Sequence, residues 1–245
     1  MNIRLLETAS DLEAVEGLQR AIWAGDEVEI VPLHLLVTAA HNGGIVLGAF
    51  EGEDMVGFAF GFPGISRTGG EPYLKHCSHM VGVLPGFRDR GIGFTLKRAQ
   101  WQLVRYQKVP LITWTYDPLQ SRNAFFNVAK LGAVCSTYLE DLYGEMRDAL
   151  NSGLPSDRFQ VDLWVNSSRV RKRLDRRPRP RLSLSNYLPA GVALVNPAHA
   201  SRGLLAPEDT RASLRRIHDL EESPPLLLVE IPADLQSVKA ASAQL

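Results

Sequence analysis

A mixed central sheet flanked by helices, an α/β (α+β) fold with a C-terminal extension, is predicted by three features of this 245-residue chain. Short apolar strand-like runs alternate with amphipathic helical stretches in the order β-α-α-β-β-β-α-β-α-β-β. Three successive strands in the middle of that order are separated only by turns, which implies antiparallel pairing. Beyond about Ser167 the texture changes to a basic, proline-broken run, so residues 1–166 read as one domain and 167–245 as a basic linker and small extension.

The elements follow in order. Met1 to Leu6 is strand-like. Ser10 with Glu13 forms a capping box, and Leu12, Val15, Leu18 and Ile22 recur at helical spacing to about Trp23. An acidic loop, 25–31, leads to Pro32, which opens a second helix ending near Asn42-Gly43. Ile45 to Phe50 and Met55 to Phe60 are strands split by "EGED", 61–72 is turn chemistry, and Cys77 to Leu84 is a further strand. Ile92, Leu96, Ala99 and Leu103 mark one face of a helix that Pro110 must end, and "LITWTY" follows as a strand. Asp117-Pro118-Leu119-Gln120 is a helix-start signature, and Gly132 is the matching stop. "AVCSTYLEDLYG" and "DRFQVDLWV" close the sheet, joined by "EMRDALNSGLPS" as a short helix and loop; near the end, "PLLLVEIPADLQ" reads as a strand and "DLQSVKAASAQL" as a helix.

Composition narrows the function. Twenty-seven basic residues balance 27 acidic ones, which argues against nucleic acid or an anionic membrane as main partner. No apolar run approaches the ~18 residues of a membrane span, and the start lacks a charged-then-apolar leader, so a cytoplasmic protein is expected. Two cysteines, Cys77 and Cys135, without CxxC spacing suit reduced thiols and suggest no metal; His76 and His79, an odd number apart on one strand, do not make a metal pair. The apolar "LLLVEI" makes a homodimer or a self-covered sheet edge a reasonable expectation, and a further piece of chain is expected after the last helix-like stretch.

The chemistry concentrates in "VGVLPGFRDRGIGFTLKRAQ", Val81 to Gln100, where a strand passes through a glycine-rich turn into a helix. Unpaired N–H groups at the helix start carry partial positive charge, and Gly91 and Gly93 remove side chains that would hold a pyrophosphate away from them. Arg88 or Arg90 can add a charge-assisted contact. The dinucleotide pattern fails because Leu96 stands at its third glycine, and no Gly-Lys-Ser/Thr is present for a nucleoside triphosphate. With Val83 and Pro85 leading in, Arg88-x-x-Gly91-x-Gly93 resembles the acyl-CoA signature of the GNAT superfamily of N-acyltransferases, over roughly residues 1–166.

That resemblance implies acetyl-CoA or another acyl-CoA as co-substrate, held by Arg88, Asp89, Arg90, Gly91, Ile92 and Gly93, with pantetheine along the backbone of Val81 and Val83. It implies an amine acceptor, direct attack on the thioester, an oxyanion held by a backbone N–H and a general base on the same strand. Alternation places Cys77, His79, Val81 and Val83 on one face, which makes His79 the candidate base. Ping-pong transfer through Cys77 has no sign of thiolate activation behind it.

Aligned with the family pattern through Ala124 and Gly132, Ser121 replaces an asparagine and Val128 replaces the tyrosine that acidifies the leaving thiolate. Tyr116, with Tyr138 and Tyr143, is the candidate substitute; otherwise the thiolate leaves unassisted. Asn123 and Asn127, four apart on one stripe, are placed to reach CoA or to face water. "NAFFN", "WTYDPL" and "GLPSDRF" resemble a branch associated with N-acylation of amino acids, including succinyl transfer, so the expected acceptor is a small-molecule primary amine. Asp26, Glu27 and Glu29 could hold its ammonium and Arg67 and Lys75 a carboxylate, the plain alternative for each being a solvated surface charge; the run Arg169 to Arg181 reads first as a solvated linker and otherwise as a contact for the CoA 3′-phosphate, a partner's acidic face or RNA. The alternative is a non-catalytic acyl-CoA sensor or scaffold, which Val128 favours.

Overall fold

The structure, a computed structural model, describes residues 1–23, 30–67, 69–144, 155–175, 183–187, 189, 192–196, 198–201, 204–207, 215 and 226–242. It divides into two compact units, Met1–Pro118 with Asn123–Arg177, and Leu119–Arg122 with Pro178–Leu245.

The first unit is built on β1 (Asn2–Leu5), β2 (Ile45–Glu51), β3 (Asp54–Ser66), β4 (Tyr73–Val83), β5 (Leu111–Tyr116), β6 (Val134–Leu139) and β7 (Arg158–Trp164). They form one sheet in the order β1-β2-β3-β4-β5-β7-β6. Every ladder is antiparallel except β4–β5. Helices α1 (Ala9–Ile22) and α2 (Leu33–His41) cover one face. Their Leu12, Val15, Ile22 and Leu36 pack with Val46, Phe58 and Phe60. On the other face α3 (Ile92–Tyr106), the π-helical segment Phe125–Leu131 and α5 (Ser168–Leu174) pack Leu96, Trp101, Leu131 and Val170 with Ala59, Ile112 and Val161.

Four local expectations change. The first helix is capped by Thr8, whose hydroxyl accepts from Asp11 N–H at 3.2 Å, so the cap sits two residues before Ser10. Residues 61–66 continue β3 instead of turning. A proline fits there because the β2 ladder ends at Ile45↔Gly61, leaving Pro63 paired with β4 alone and its other side open. Asp117 to Gln120 is a turn, and the helix starts later, as α4 (Ser121–Ala124), before passing into the π-helical segment; the residue before a proline is biased toward extended backbone. The basic stretch after Ser167 begins as an ordered helix, and its arginines satisfy carbonyls at the end of the π segment: Arg169 donates to Gly132 O at 3.0 Å and Arg173 to Ala129 O at 2.9 Å.

In the second unit, β8 (Ala193–Leu194) and β11 (Leu227–Leu228) form a two-pair parallel ladder, and β9 (Ala198–Ser201) pairs antiparallel with β10 (Leu204–Pro207). The strand expected in "PLLLVEI" is therefore only the two residues of β11. Helices α6 (Leu184–Tyr187) and α7 (Leu235–Ser242) complete this unit, the latter capped by Asp234. Residues 145–154, 176–182 and the acidic trio Asp26, Glu27 and Glu29 lie outside the described residues.

Candidate active site

β4 and β5 run parallel but pair only at His76↔Ile112 and Cys77↔Thr113. Beyond that vertex the strands diverge, leaving a V-shaped gap bordered by Ser78 to Val83 on one side and Trp114 to Tyr116 on the other. Leu84 N–H donates to Val56 O at 2.9 Å, which turns the backbone of Leu84, and of Gly82 two residues earlier, toward β3. The backbone of Val81 and Val83 thus faces the gap, and Val83 O accepts from Arg88 Nε at 3.3 Å.

At the open end of the V, Pro85–Phe87 makes a single 3₁₀ turn, and Arg88, Asp89, Arg90 and Gly91 are exposed. Asp89 at φ +65° and Gly91 at φ +81° are left-handed, the second as N-cap of α3. Turns of this hand set successive N–H groups toward one side, at the positive end of a 15-residue helix. A Cβ at Gly91 would meet nothing within 4 Å, and one at Gly93 only the Phe126 ring at 4.0 Å. The space above both backbones is therefore open to an anion, and Ile92, buried below, anchors the helix start. Arg90 lies over the Phe87 ring at 4.9 Å.

His79 does not share a face with Val81 and Val83, contrary to plain alternation. The ladder pairs Phe60 with Met80 and Gly61 with Ser78, so His79 is an extra residue in a β-bulge. Before the bulge, His76 and Ser78 point to α3; after it, Val81 and Val83 do. Cys77 and His79 face the α1/α2 side, where the imidazole packs against Phe60 at 5.8 Å and Phe62 at 5.9 Å. The residue remains exposed on its outer side, while the two rings shield the imidazole on the other and lower its pKa, so it is neutral and able to accept a proton at pH 7.

The bulge depends on Gly61, because a Cβ there would stand 2.3 Å from His76 Nε2 and 2.7 Å from Cys77 O. His76 is buried with no partner for Nε2 among the described residues, and burial with the nearby Lys97 charge pushes its pKa down to about 3. The unfolded chain then binds a proton first as pH falls, so stability drains away between pH 6.5 and about 3. A shift between pH 7 and 4.5 should cost about 2–3 kcal/mol through this group. Thermal melts of His76→Asn should show a correspondingly shallower acid limb than the parent; equal limbs would remove His76 as its cause.

Tyr116 ends β5, buried against Phe159, and burial raises its hydroxyl. Tyr138 is bonded to Asp157 and pushed up to about 12. Tyr143 shares a hydrogen bond with Thr115 at 3.0 Å. The two asparagines part company: Asn123 is exposed, whereas Asn127 is buried and accepts from Trp114 Nε1 at 3.2 Å. The π-helical winding between them breaks the four-residue stripe. Arg67 is exposed and Lys75 half-buried.

Lys97, absent from the sequence reading, is fully buried in α3. Its Nζ donates to Ser78 Oγ at 2.7 Å and Gln100 Oε1 at 3.1 Å and lies 3.7 Å over the Trp114 ring. Desolvation lowers its pKa to about 7. The legible signal was a lysine on the same helix face as Trp101 and Val104. Among the described residues no group of three or more His, Cys, Asp or Glu is placed to hold a metal ion, and no helix is long and apolar enough to cross a membrane.

No protein-family profile matches the chain. N-alpha-acetyltransferase RimI of Mycobacterium tuberculosis is 32% identical over 92 residues, 37% of this chain and 54% of that protein, so the match spans about half the curated relative's length. Among solved structures, the ribosomal-protein-alanine N-acetyltransferase of Brucella melitensis aligns with 67% of this chain and 99% of its own at 21% identity and a TM-score of 0.53. YncA of Salmonella typhimurium, solved with its cofactor acetyl-CoA, aligns with 68% of this chain and 94% of its own at 16% identity and a TM-score of 0.52. A GNAT acetyltransferase structure from Desulfovibrio desulfuricans aligns with 67% of this chain and 98% of its own, with a TM-score of 0.52 at 19% identity.

Proposed function

Starting from a chain whose main sheet and flanking helices have the GNAT fold, we propose that it transfers an acyl group from acyl-CoA to a primary amine. The observation that carries this reading is the early end of the β4–β5 ladder, on a strand that runs on unpaired with β5 into a turn whose glycines leave the helix N-terminus open. Backbone N–H groups from Arg88 to Gly93, with the Arg88 and Arg90 side chains, would receive the pyrophosphate. Asp89 and Asn123, both exposed, would add polar contacts to the cofactor. Pantetheine would lie along Val81 and Val83 in the gap, which brings the thioester toward the bulge.

There an amine can attack the thioester carbon, and a backbone N–H at the bulge can hold the oxyanion. His79, on the α1/α2 face, is the group placed to take the amine's proton, directly or through a water. His79→Ala should lower kcat by about 10²-fold or more and remove the acidic limb of the rate profile, which lies below the ordinary histidine pKa of 6.5. A variant with unchanged rate from pH 5.5 to 8 would remove His79 as base.

The acyl group we place first is acetyl, since acetyl-CoA is bound in YncA, with succinyl as the alternative. For the acceptor we place a small amine such as an amino acid; the likeness to RimI and to the ribosomal-protein-alanine enzyme makes a protein N-terminus the competing acceptor. The test is thiol release from acetyl-CoA and succinyl-CoA with a panel of amines, amino acids and N-terminal peptides, beside calorimetry of CoA binding. Binding without turnover on any acceptor would favour the sensor reading, and absence of CoA binding would sink both.

A further inference from the structure

Resting on the transferase reading above, we propose that Lys97 is the acid that protonates the leaving thiolate, replacing the tyrosine hydroxyl that Val128 cannot supply. Its ammonium sits at the vertex of the V. Ser78, to which it donates, is the first β4 residue past the last ladder pair, and Trp114, which it overlies, is the first on β5. Both borders of the gap therefore converge on Nζ, at the closed end toward which the pantetheine arm runs.

The surrounding groups hold a proton there without competing for it. Ser78 Oγ and Gln100 Oε1 accept from two of the ammonium's N–H groups, and the Ser78 hydroxyl donates its own hydrogen bond to Gln100 Oε1 at 2.8 Å. The third N–H faces the Trp114 ring, the weakest of the three contacts and the one a thiolate would displace. Among the described residues, His76 on β4 is the titratable neighbour, and β5 and the π segment present Trp114 and, behind it, Asn127, neither of which titrates. Among the described residues no carboxylate lies within ion-pair distance of Nζ. A buried lysine titrating near 7 gives its proton readily to a thiolate, whose ordinary pKa is about 8.5. Tyr116, the tyrosine that borders the gap, is a worse donor, because burial pushes its hydroxyl above the phenol range.

The step balances. The amine's lone pair forms the C–N bond, the C–S bond breaks with its electron pair on sulfur, and Lys97 gives that sulfur a proton, releasing CoA thiol. The proton lost by the amine leaves on the opposite face through His79 or water, and Lys97, closed off from solvent at rest, regains one through the gap as CoA thiol leaves it. Base and acid thus work from the two sides of the sheet.

The experiment measures kcat on acetyl-CoA from pH 6 to 9.5 at saturating amine, for the full-length protein and Lys97→Met, with CoA affinity by calorimetry. The wild-type protein should lose kcat as pH rises through about 7. Lys97→Met should lower kcat by about 10²-fold, lose that basic limb, and keep its CoA affinity within about threefold. Retained kcat, or kcat and CoA affinity falling together as from a merely structural lysine, would overturn the assignment. So would a wild-type kcat flat through this range, a result that needs no variant. A wild-type protein that binds CoA yet transfers nothing would instead remove the transferase reading on which Lys97's role rests.

Discussion

Gly91→Glu is expected to weaken CoA binding by about 10²-fold or more in calorimetry, equivalent to about 3 kcal/mol, while leaving most of the protein's stability in place. Gly91 is the N-cap of α3 at φ +81°, so any side chain there pays a left-handed penalty of about 1 kcal/mol. Its Cβ would meet no protein atom within 4 Å, so the fold itself raises no steric objection. A carboxylate projecting from that point would occupy the opening and repel the phosphates that the helix N-terminus attracts. Gly91→Ala separates the causes, since it carries the backbone strain without the charge and should lose affinity far less. Equal CoA affinity in Gly91→Glu and the parent would place the cofactor elsewhere.

Trp101→Ala should produce the largest loss of stability, about 3–5 kcal/mol. The indole is 1% exposed, and its Nε1 donates to Val165 O at 2.9 Å, tying the middle of α3 to the chain just after β7. Truncation removes the packing of a large ring and leaves the Val165 carbonyl without its donor. For a unit of this size the melting temperature should fall by about 10–15 °C. Trp101→Phe, which keeps most of the apolar volume and loses the hydrogen bond, should fall between. A loss below 1 kcal/mol in thermal or urea unfolding of Trp101→Ala would mean that α3 is held by other contacts.

How far the candidate site was legible follows from how local each feature is. Arg88, Gly91 and Gly93 lie within six residues, and the helix that follows is announced by its own apolar spacing, so the glycine turn at the helix start could be read directly. His79 was singled out by residue type, and the face it points to was misread. Its side is set by the bulge, where His79 has no opposite partner between the Phe60↔Met80 and Gly61↔Ser78 pairs. Nothing in "KHCSHMVGV" reports that irregularity, because it arises from the fit of β4 against β3. Asn127 was misread for a related reason: π-helical winding and the Trp114 indole turn it inward while Asn123 stays exposed.

Lys97 shows the same division most sharply. In the sequence it is one lysine of an ordinary amphipathic helix, and such lysines usually face water. Only the crossover of α3 over β4 and β5 brings Ser78, Trp114 and Gln100 around it and removes its solvent. By itself the sequence determined what depends on neighbours in the chain: the order of strands and helices, the glycine turn at a helix start, and the apolar stripes that face the sheet. The tertiary structure decided register, the bulge, the point where β4 and β5 part and the burial of Lys97. Each of these is an energy of contact between segments far apart in the chain, on which local residue preferences are silent.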